Sequence, residues 1–314
     1  MNRIGSPTVE SLLLLSFGVT MSVPIFDDYA TYRDMRGKAQ PDDVAPLVSI
    51  VTATLNSAAT LERTFRSVHA QTIPGIEHII VDGGSRDGTL DLVRRSARSH
   101  DYWISEPDRG ISDAFNKGVA MARGRYIQIL NADDWLSGNQ IECAVKTVEG
   151  AGADFAFGDL VFYEGNRPIF FYIGDAAYER VIHRRMPSVG HATMLASRAA
   201  FERAGLFDTS YAHAMDYDWL LRLHNAGGRG VYCPDIVGHM THAGISNRNF
   251  RETIEEVREI AVAHGRNPYI AAVEARARRL KTSAAQPVRR HFLPLYQLAR
   301  RILNPAYRPA PANR

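Results

Sequence analysis

The chain has 314 residues, of which 45% are hydrophobic and 23% charged, the proportions of a folded chain with a sizeable core. They exclude a disordered or fibrous protein, and two cysteines, Cys143 and Cys233, exclude a disulfide framework and a four-thiolate zinc site and fit a reducing cytoplasm. The net charge of +3 is uneven: residues 266–314 hold eleven Arg or Lys against Glu274 alone, a tail of +10 on a body of −7. That distribution argues against nucleic acid wrapped on the body and for a basic tail meeting an anionic surface.

No apolar run reaches the roughly 18–20 residues that a membrane-spanning helix requires. "SLLLLSFGV" (11–19) looks like the apolar part of an export signal, but Arg3 alone precedes it, Glu10 adjoins it and no cleavage pattern follows. The expectation for residues 1–45 is an extension packed on the body.

Regular alternation starts at residue 46. "PLVSIVTATL" is a short β-branched run and predicts a central strand, followed by a helix over 57–71 with Leu61, Phe65 and Val68 inward. "IEHIIVDGG" predicts a second strand, and "DGTLDLVRRSAR" a helix opened by Asp87. "DYWISEP" and "RYIQILNADD" predict two more strands, with the helix "ISDAFNKGVAMA" between them. Such alternation implies right-handed crossovers and a mostly parallel sheet flanked by helices. After about residue 150 a hairpin is expected around Gly165 and Asn166, then a short strand at "HATMLAS", a helix over 215–227, and a strand and loop through "GHMTHAGIS". From 251 onward the pattern is helical, with breaks expected near Pro268, Pro287 and Pro294.

Ligands of open parallel sheets bind beyond the carboxyl ends of the strands. Those ends carry "TLNS" (54–57), "VDGGSRDGT" (81–89), "SEPDRGISDAFNKG" (105–118) and "NADDW" (131–135). Each alone is ordinary turn chemistry, but four together form one constellation rich in Asp, Asn, Ser and Gly. Two adjacent carboxylates at the edge of a buried sheet repel each other unless a cation joins them, and oxygen donors suit Mg²⁺ or Mn²⁺ shared with a diphosphate.

Taken together, "PLVSIVTATLNSAATLERTFRSVHAQTIPGIEHIIVDGGSRDGT", "EPDRGISDAFNKG" and "NADDW" resemble the family 2 glycosyltransferases, inverting enzymes of the GT-A nucleotide-diphospho-sugar fold. The likeness covers about 46–250 and is nearest to the bacterial capsule, exopolysaccharide and O-antigen type. It implies a GT-A domain over 46–250, with a nucleotide-binding half (46–136) and an acceptor half (137–250), followed by a basic helical extension over 251–314. It also implies transfer of a hexosyl or N-acetylhexosaminyl group from a nucleotide sugar, UDP-linked by expectation. The acceptor would be a saccharide or lipid-linked saccharide, at the cytoplasmic face of a membrane.

By position, the resemblance places Thr54 and Asn56 in the nucleotide pocket and Asp82 on the base. Gly83 stands where many members have a second acid. Asp108, Arg109 and Asp113 would approach the ribose and donor sugar. Asp133 matches the metal-binding acid of the family's D-x-D motif, with Asn131 in place of its first Asp, and His242 is a second candidate ligand. "FDTSYAHAMDYDWLLRL" resembles the segment of the catalytic base, with Met215 where the usual Glu stands, Asp216 in the Asp place and Asp218 as a second candidate. His191 reads equally as a satisfied core histidine or as a residue facing the acceptor.

Other α/β readings lack their signatures: no G-x-G-x-x-G turn follows the first strand and no P-loop occurs. A sugar nucleotidyltransferase would carry a Gly-rich basic loop after that strand. A non-catalytic sugar-nucleotide-binding or assembly protein would have little need of Asp82, Asp133 and Asp216. In the tail, "VRRHFLPLYQLARRIL" (288–303) alternates apolar and Arg positions at helical spacing, the pattern of a helix lying in a membrane interface.

Overall fold

In the computed structural model, residues 26–35, 45–242, 249–291 and 307–309 are described, with 285–291 and 307–309 as backbone alone. The 11–19 stretch and most of 288–303 lie outside the described residues.

β1 (Val48–Thr54) is buried along its whole length, as an uncharged run rich in β-branched residues suits a strand covered on both faces. It lies parallel between β2 (Ile76–Asp82) and β4 (Tyr126–Asn131), and β3 (Tyr102–Ser105) extends the sheet beyond β2. The register sets Thr54 beside Asp82, Asp82 beside Ser105 and Ala53 beside Asn131, so three crossovers deliver their polar ends to one edge. α2 (Leu61–His69) and α3 (Thr89–Ser96) cover one face, packing Leu61, Phe65, Leu92 and Val93 against Ile80.

α4 (Ile111–Met121) crosses the other face so closely that a Cβ on Gly118 would collide with Val51. Every residue of α4 after Ile111 is buried, polar ones included. The reason lies upstream: the 3₁₀ turn Phe26–Tyr29 and α1 (Ala30–Met35) pack on its outer side, with Tyr29 inside the core.

Beyond β4 the pairing changes. β5 (Trp135–Leu136) and α5 (Gln140–Ala151) lead to the hairpin of β6 (Phe155–Glu164) and β7 (Arg167–Tyr172), which turns at Gly165 and Asn166 as expected. β8 (Leu195–Ser197) runs antiparallel between β4 and β6 and joins the two halves into one sheet. β9 (Gly230–Thr241) pairs parallel with β6 and ends antiparallel against β5. Among the described residues, parallel pairing is therefore confined to β3–β2–β1–β4 and β6–β9.

α6 (Arg198–Ala204), α7 (Met215–Asn225) and α8 (Phe250–Ala263) pack on the α4 side. α9 (Pro268–His291) begins on a proline, whose missing N–H is harmless in a first turn. It continues through Pro287, where the sequence predicts a break; the proline removes one backbone bond without ending the helix. β10 (Tyr307–Pro309) pairs antiparallel with β7. Among the described residues no helix is long and apolar enough to cross a membrane.

Candidate active site

The edge at the carboxyl ends of β1 and β2 is tied together by its own loops. Asp82 is 1% exposed, and its carboxylate accepts hydrogen bonds from the Gly84 and Ser85 amides (3.2 and 3.0 Å) and from the Ser85 and Ser105 hydroxyls (2.5 and 2.6 Å). Asn56, at φ 50°, accepts from the Arg86 amide at 2.9 Å and donates its own amide to Ser85 at 2.7 Å. These bonds lock the β1 and β2 loops to each other. Thr54 is buried and its Oγ1 has no partner, a polar atom at the strand end that a ligand would satisfy. A Cβ on Gly83 would collide with the Asp108 carboxylate, so the missing second acid of the motif leaves room for Asp108 to fold over the loop.

Arg109 and Asp113 sit together, Asp113 buried against the N-terminal segment and Arg109 largely exposed above it. Asp113 accepts from Tyr29 Oη at 2.7 Å, from the Arg109 guanidinium at 2.9 Å and from the Arg109 amide at 3.1 Å. Burial disfavours its charge, but the bonds from Arg109 and Tyr29 outweigh it and bring its pKa down to about 2. Lys117, itself buried, pairs with Glu106 at 2.7 Å, and Glu106 accepts from Tyr32 Oη at 2.6 Å. Residues 26–35 thus brace the loop that carries Asp108 and Arg109. Sequence reading gave no sign of these tyrosines, whose partners lie 74–84 residues away.

The acids of β4 meet the second half through a histidine. Asp134 is 1% exposed; it accepts from the Thr241 amide (3.2 Å) and from Asn131 Nδ2 (3.2 Å), and lies 3.5 Å from His191 Nε2. His191, in the 3₁₀ turn His191–Thr193, reaches with Nδ1 to within 3.6 Å of Asp216 Oδ2 at the start of α7. Burial opposes charge on the ring, yet the two carboxylates prevail and raise its pKa to about 10, and Asn131 Nδ2 lies 3.0 Å from the same Nε2, so His191 links Asp134, Asn131 and Asp216. Apolar side chains of Met186, Pro187, Val189, Met194 and Leu220 line a small cavity with His191 and Asp216.

Asp133 is the odd member. Burial, followed by repulsion from Asp134, pushes its pKa up to about 6, and among the described residues it has no ion-pair partner. Beside it Asn131 Oδ1 is buried with no hydrogen-bond partner. The Asp133 carboxylate, which feels His191 and Arg63 without a direct ion pair, and the Asn131 carbonyl oxygen are hard donors that suit a divalent cation. Thr241 clamps this turn, donating Oγ1 to the Asp133 carbonyl at 2.8 Å.

The two candidate bases part company. Asp216 is 13% exposed and turned to His191, whereas Asp218, 2% exposed, pairs with Arg222 at 2.8 Å and His264 at 3.0 Å. Arg222 also donates to the Ala204 and Leu206 carbonyls. Two residues on a helix are about 200° apart, and this sends Asp218 into the packing against α6 and α8 instead of the cleft. Asp218 is thus held by Arg222 and His264, while Asp216 faces His191. Asp218→Ala strands a buried Arg222 and is expected to lower unfolding free energy by about 3–5 kcal/mol in denaturant titration; wild-type stability would remove that assignment.

His242 follows Thr241 and stands edge-on to the rings of Phe162 and Phe170, at 6.0 and 5.4 Å. His239 stacks on Trp135 at 5.2 Å, with Arg63 on that indole at 3.4 Å from the ring centre. One further residue escaped sequence reading: Glu256 of α8 accepts the amides of Ala212, His213 and Ala214 at 2.8–2.9 Å and so sets the entry into α7.

A family model described as Glycosyl transferase family 2 matches residues 49–204. An uncharacterized glycosyltransferase of Mycobacterium tuberculosis is 32% identical over 57% of this chain and 69% of its own. A PGL/p-HBAD biosynthesis glycosyltransferase of Mycobacterium bovis is 31% identical over 65% of this chain and 77% of its own. Among solved structures, mannosyltransferase PcManGT of Pyrobaculum calidifontis, in complex with GDP-Man and Mn²⁺, superposes with a TM-score of 0.56 at 20% identity, over 88% of this chain and 82% of its own. S. aureus TarS 1–349 in complex with UDP-GlcNAc gives 0.53 at 15% identity, over 71% of this chain and 69% of its own. The chain spans 41% of the longer TarS chain. At these identities the structures speak for the fold alone, which is the GT-A type, while the two relatives above 30% are matched over more than two thirds of their length. The chain belongs to the family 2 glycosyltransferases.

Proposed function

We propose that the protein is a metal-dependent inverting glycosyltransferase, moving a hexosyl or N-acetylhexosaminyl group from a nucleotide-diphospho-sugar to a hydroxyl of a saccharide or lipid-linked saccharide. The observation that carries this reading is the Asp134–His191–Asp216 bridge. It holds the Asp216 carboxylate beside His191, which in turn faces Asp134 and Asn131 in the turn that carries Asp133. The orphaned Thr54 Oγ1, with Asn56 and Asp108 on the neighbouring loops and Asp82 holding the β2 loop in place, suits the nucleoside, and a uracil base accords with the UDP-GlcNAc of the TarS complex; the GDP-Man complex keeps a purine donor among the arms of the test.

Asp133 and Asn131 Oδ1 would hold Mn²⁺ or Mg²⁺, which supplies positive charge for the departing diphosphate. Asp216 takes the proton of the acceptor hydroxyl while that oxygen bonds to the anomeric carbon from the face opposite the diphosphate. The bond from the anomeric carbon to the phosphate oxygen breaks, and its electron pair leaves with the nucleoside diphosphate. His191 fixes the carboxylate of Asp216, and the apolar cavity beside it limits water that would compete with the acceptor. A panel of nucleotide sugars, scored for metal-dependent release of nucleoside diphosphate in the presence of saccharide acceptors, tests this. Binding without release from any donor would favour the non-catalytic alternative.

A cytoplasmic membrane face is the proposed place of work. Tyr269, Ile270, Val273 and Leu280 are 81, 47, 68 and 65% exposed on one side of α9, and Arg276 and Lys281 border that side. An apolar stripe edged by cations suits an anionic lipid surface. With α9 changed by Val273→Glu and Leu280→Glu, co-sedimentation with anionic vesicles is expected to fall about tenfold, and undiminished binding would remove α9 from the contact.

A further inference from the structure

A second cluster lies at the other end of the nucleotide half. His69 closes α2, His78 is the third residue of β2 and Asp101 immediately precedes β3. At about 3.3 Å per residue, His78 is some 13 Å along β2 from Asp82 and the candidate active site. His69 Nε2 stands 3.0 Å from Asp101 Oδ2, with side chains only 16% and 2% exposed. One ligand atom from each of the three residues lies within 4.8 Å of the others.

His78 is the informative member. It is 1% exposed; its Nε2 shares a 2.9 Å hydrogen bond with Thr52 Oγ1, and its Nδ1 has no partner at all. A buried polar atom without a partner calls for an explanation, and a bare imidazole nitrogen beside another histidine and a carboxylate has an obvious one. The Thr52 hydroxyl fixes the orientation of the His78 ring from behind, as outer-shell partners of metal-bound histidines do. Phe65 forms the apolar wall, its ring 5.6 Å from that of His69 and 5.0 Å from that of His78.

We propose that His69, His78 and Asp101 form a zinc-type cation site, separate from the metal position of the transfer reaction, that staples α2, β2 and the turn before β3. Two imidazoles and one carboxylate are a borderline-soft donor set that suits Zn²⁺, with a fourth position left for water. Metal–ligand bonds of 2.0–2.1 Å put tetrahedral ligands about 3.3 Å apart, within reach of this cluster by side-chain adjustment. A cation held only by the folded chain raises its apparent stability.

The test uses the full chain carrying Asp133→Asn, so that the other metal position is weakened, and zinc alone as the probe. After chelation, zinc addition and desalting, one zinc per chain is expected, with a rise in melting temperature of several degrees. Adding His69→Gln is expected to weaken zinc binding at least tenfold and abolish that rise, while the melting temperature in chelator stays near that of the parent. Should the His69→Gln chain fail to fold, Asp101→Asn gives the same readout with the shape of the side chain kept. Co²⁺ in place of zinc is expected to give the intense visible absorption of a four-coordinate site. Zinc retained equally by the parent and both variants, or retained by none, overturns the proposal. None of these readouts depends on sugar transfer, so the transferase reading stands or falls separately.

Discussion

Asp216→Asn is expected to lower turnover by about 10²–10⁴-fold while leaving donor affinity close to wild type, the range for loss of a general base. Asparagine keeps the shape and still meets the His191 ring, so the loop and helix start are preserved. What disappears is the capacity to accept the acceptor's proton. Steady-state kinetics with varied acceptor, paired with calorimetric titration of the nucleoside diphosphate, separates the two effects. Turnover within a few-fold of wild type would mean that another group removes the proton. Because Asp216 sits 3.6 Å from His191, a His191→Asn chain should share part of the loss, its kcat falling more than its KM changes.

Asp133→Asn is the second large effect. It removes the one acid of the β4 turn that has no cationic partner among the described residues, and metal-dependent transfer is expected to fall by at least 10²-fold even at saturating Mn²⁺. The fold should survive. In the folded chain, burial and the neighbouring Asp134 hold the Asp133 pKa above its ordinary value, at about 6, so its charge opposes folding wherever it is ionised. Above that pH the asparagine variant, measured in chelator, should therefore melt at or above the wild-type temperature, an advantage that fades as the acid protonates below it. Unchanged activity at saturating metal would remove Asp133 from the metal position.

Local pattern revealed the β1–β4 half well. Each crossover there is short, β1, β2 and β4 read as apolar runs rich in β-branched residues, and the register that sets Thr54 beside Asp82 follows from packing apolar residues on both faces. The acceptor half was legible as elements but not as an arrangement. Nothing in "HATMLAS" says that β8 will join β4 to β6, since three residues carry no pairing preference of their own. The site divides the same way. Asp133 and Asp216 stand out because acids at a strand end and a helix start are conspicuous. His191 does not, because its meaning depends on Asp134 and Asp216, 57 and 25 residues away by the numbering. Asp216 and Asp218 look equivalent on paper, and only the direction of each around α7 tells a cleft residue from an anchor.

The bond between Glu256 and the amides of 212–214 bears on the order in which the molecule becomes competent. Synthesis proceeds from the N-terminus, and early domains and subdomains fold as they emerge. The β1–β4 region is built of neighbouring crossovers with short loops to close, so it can assemble while the rest of the chain is still being made. The start of α7 is different, because its amides wait for a carboxylate more than 40 residues further along the chain. The carboxyl edge of β1–β4 can therefore be set in a nascent chain before the start of α7, which is completed only once α8 has been made and has closed over that loop.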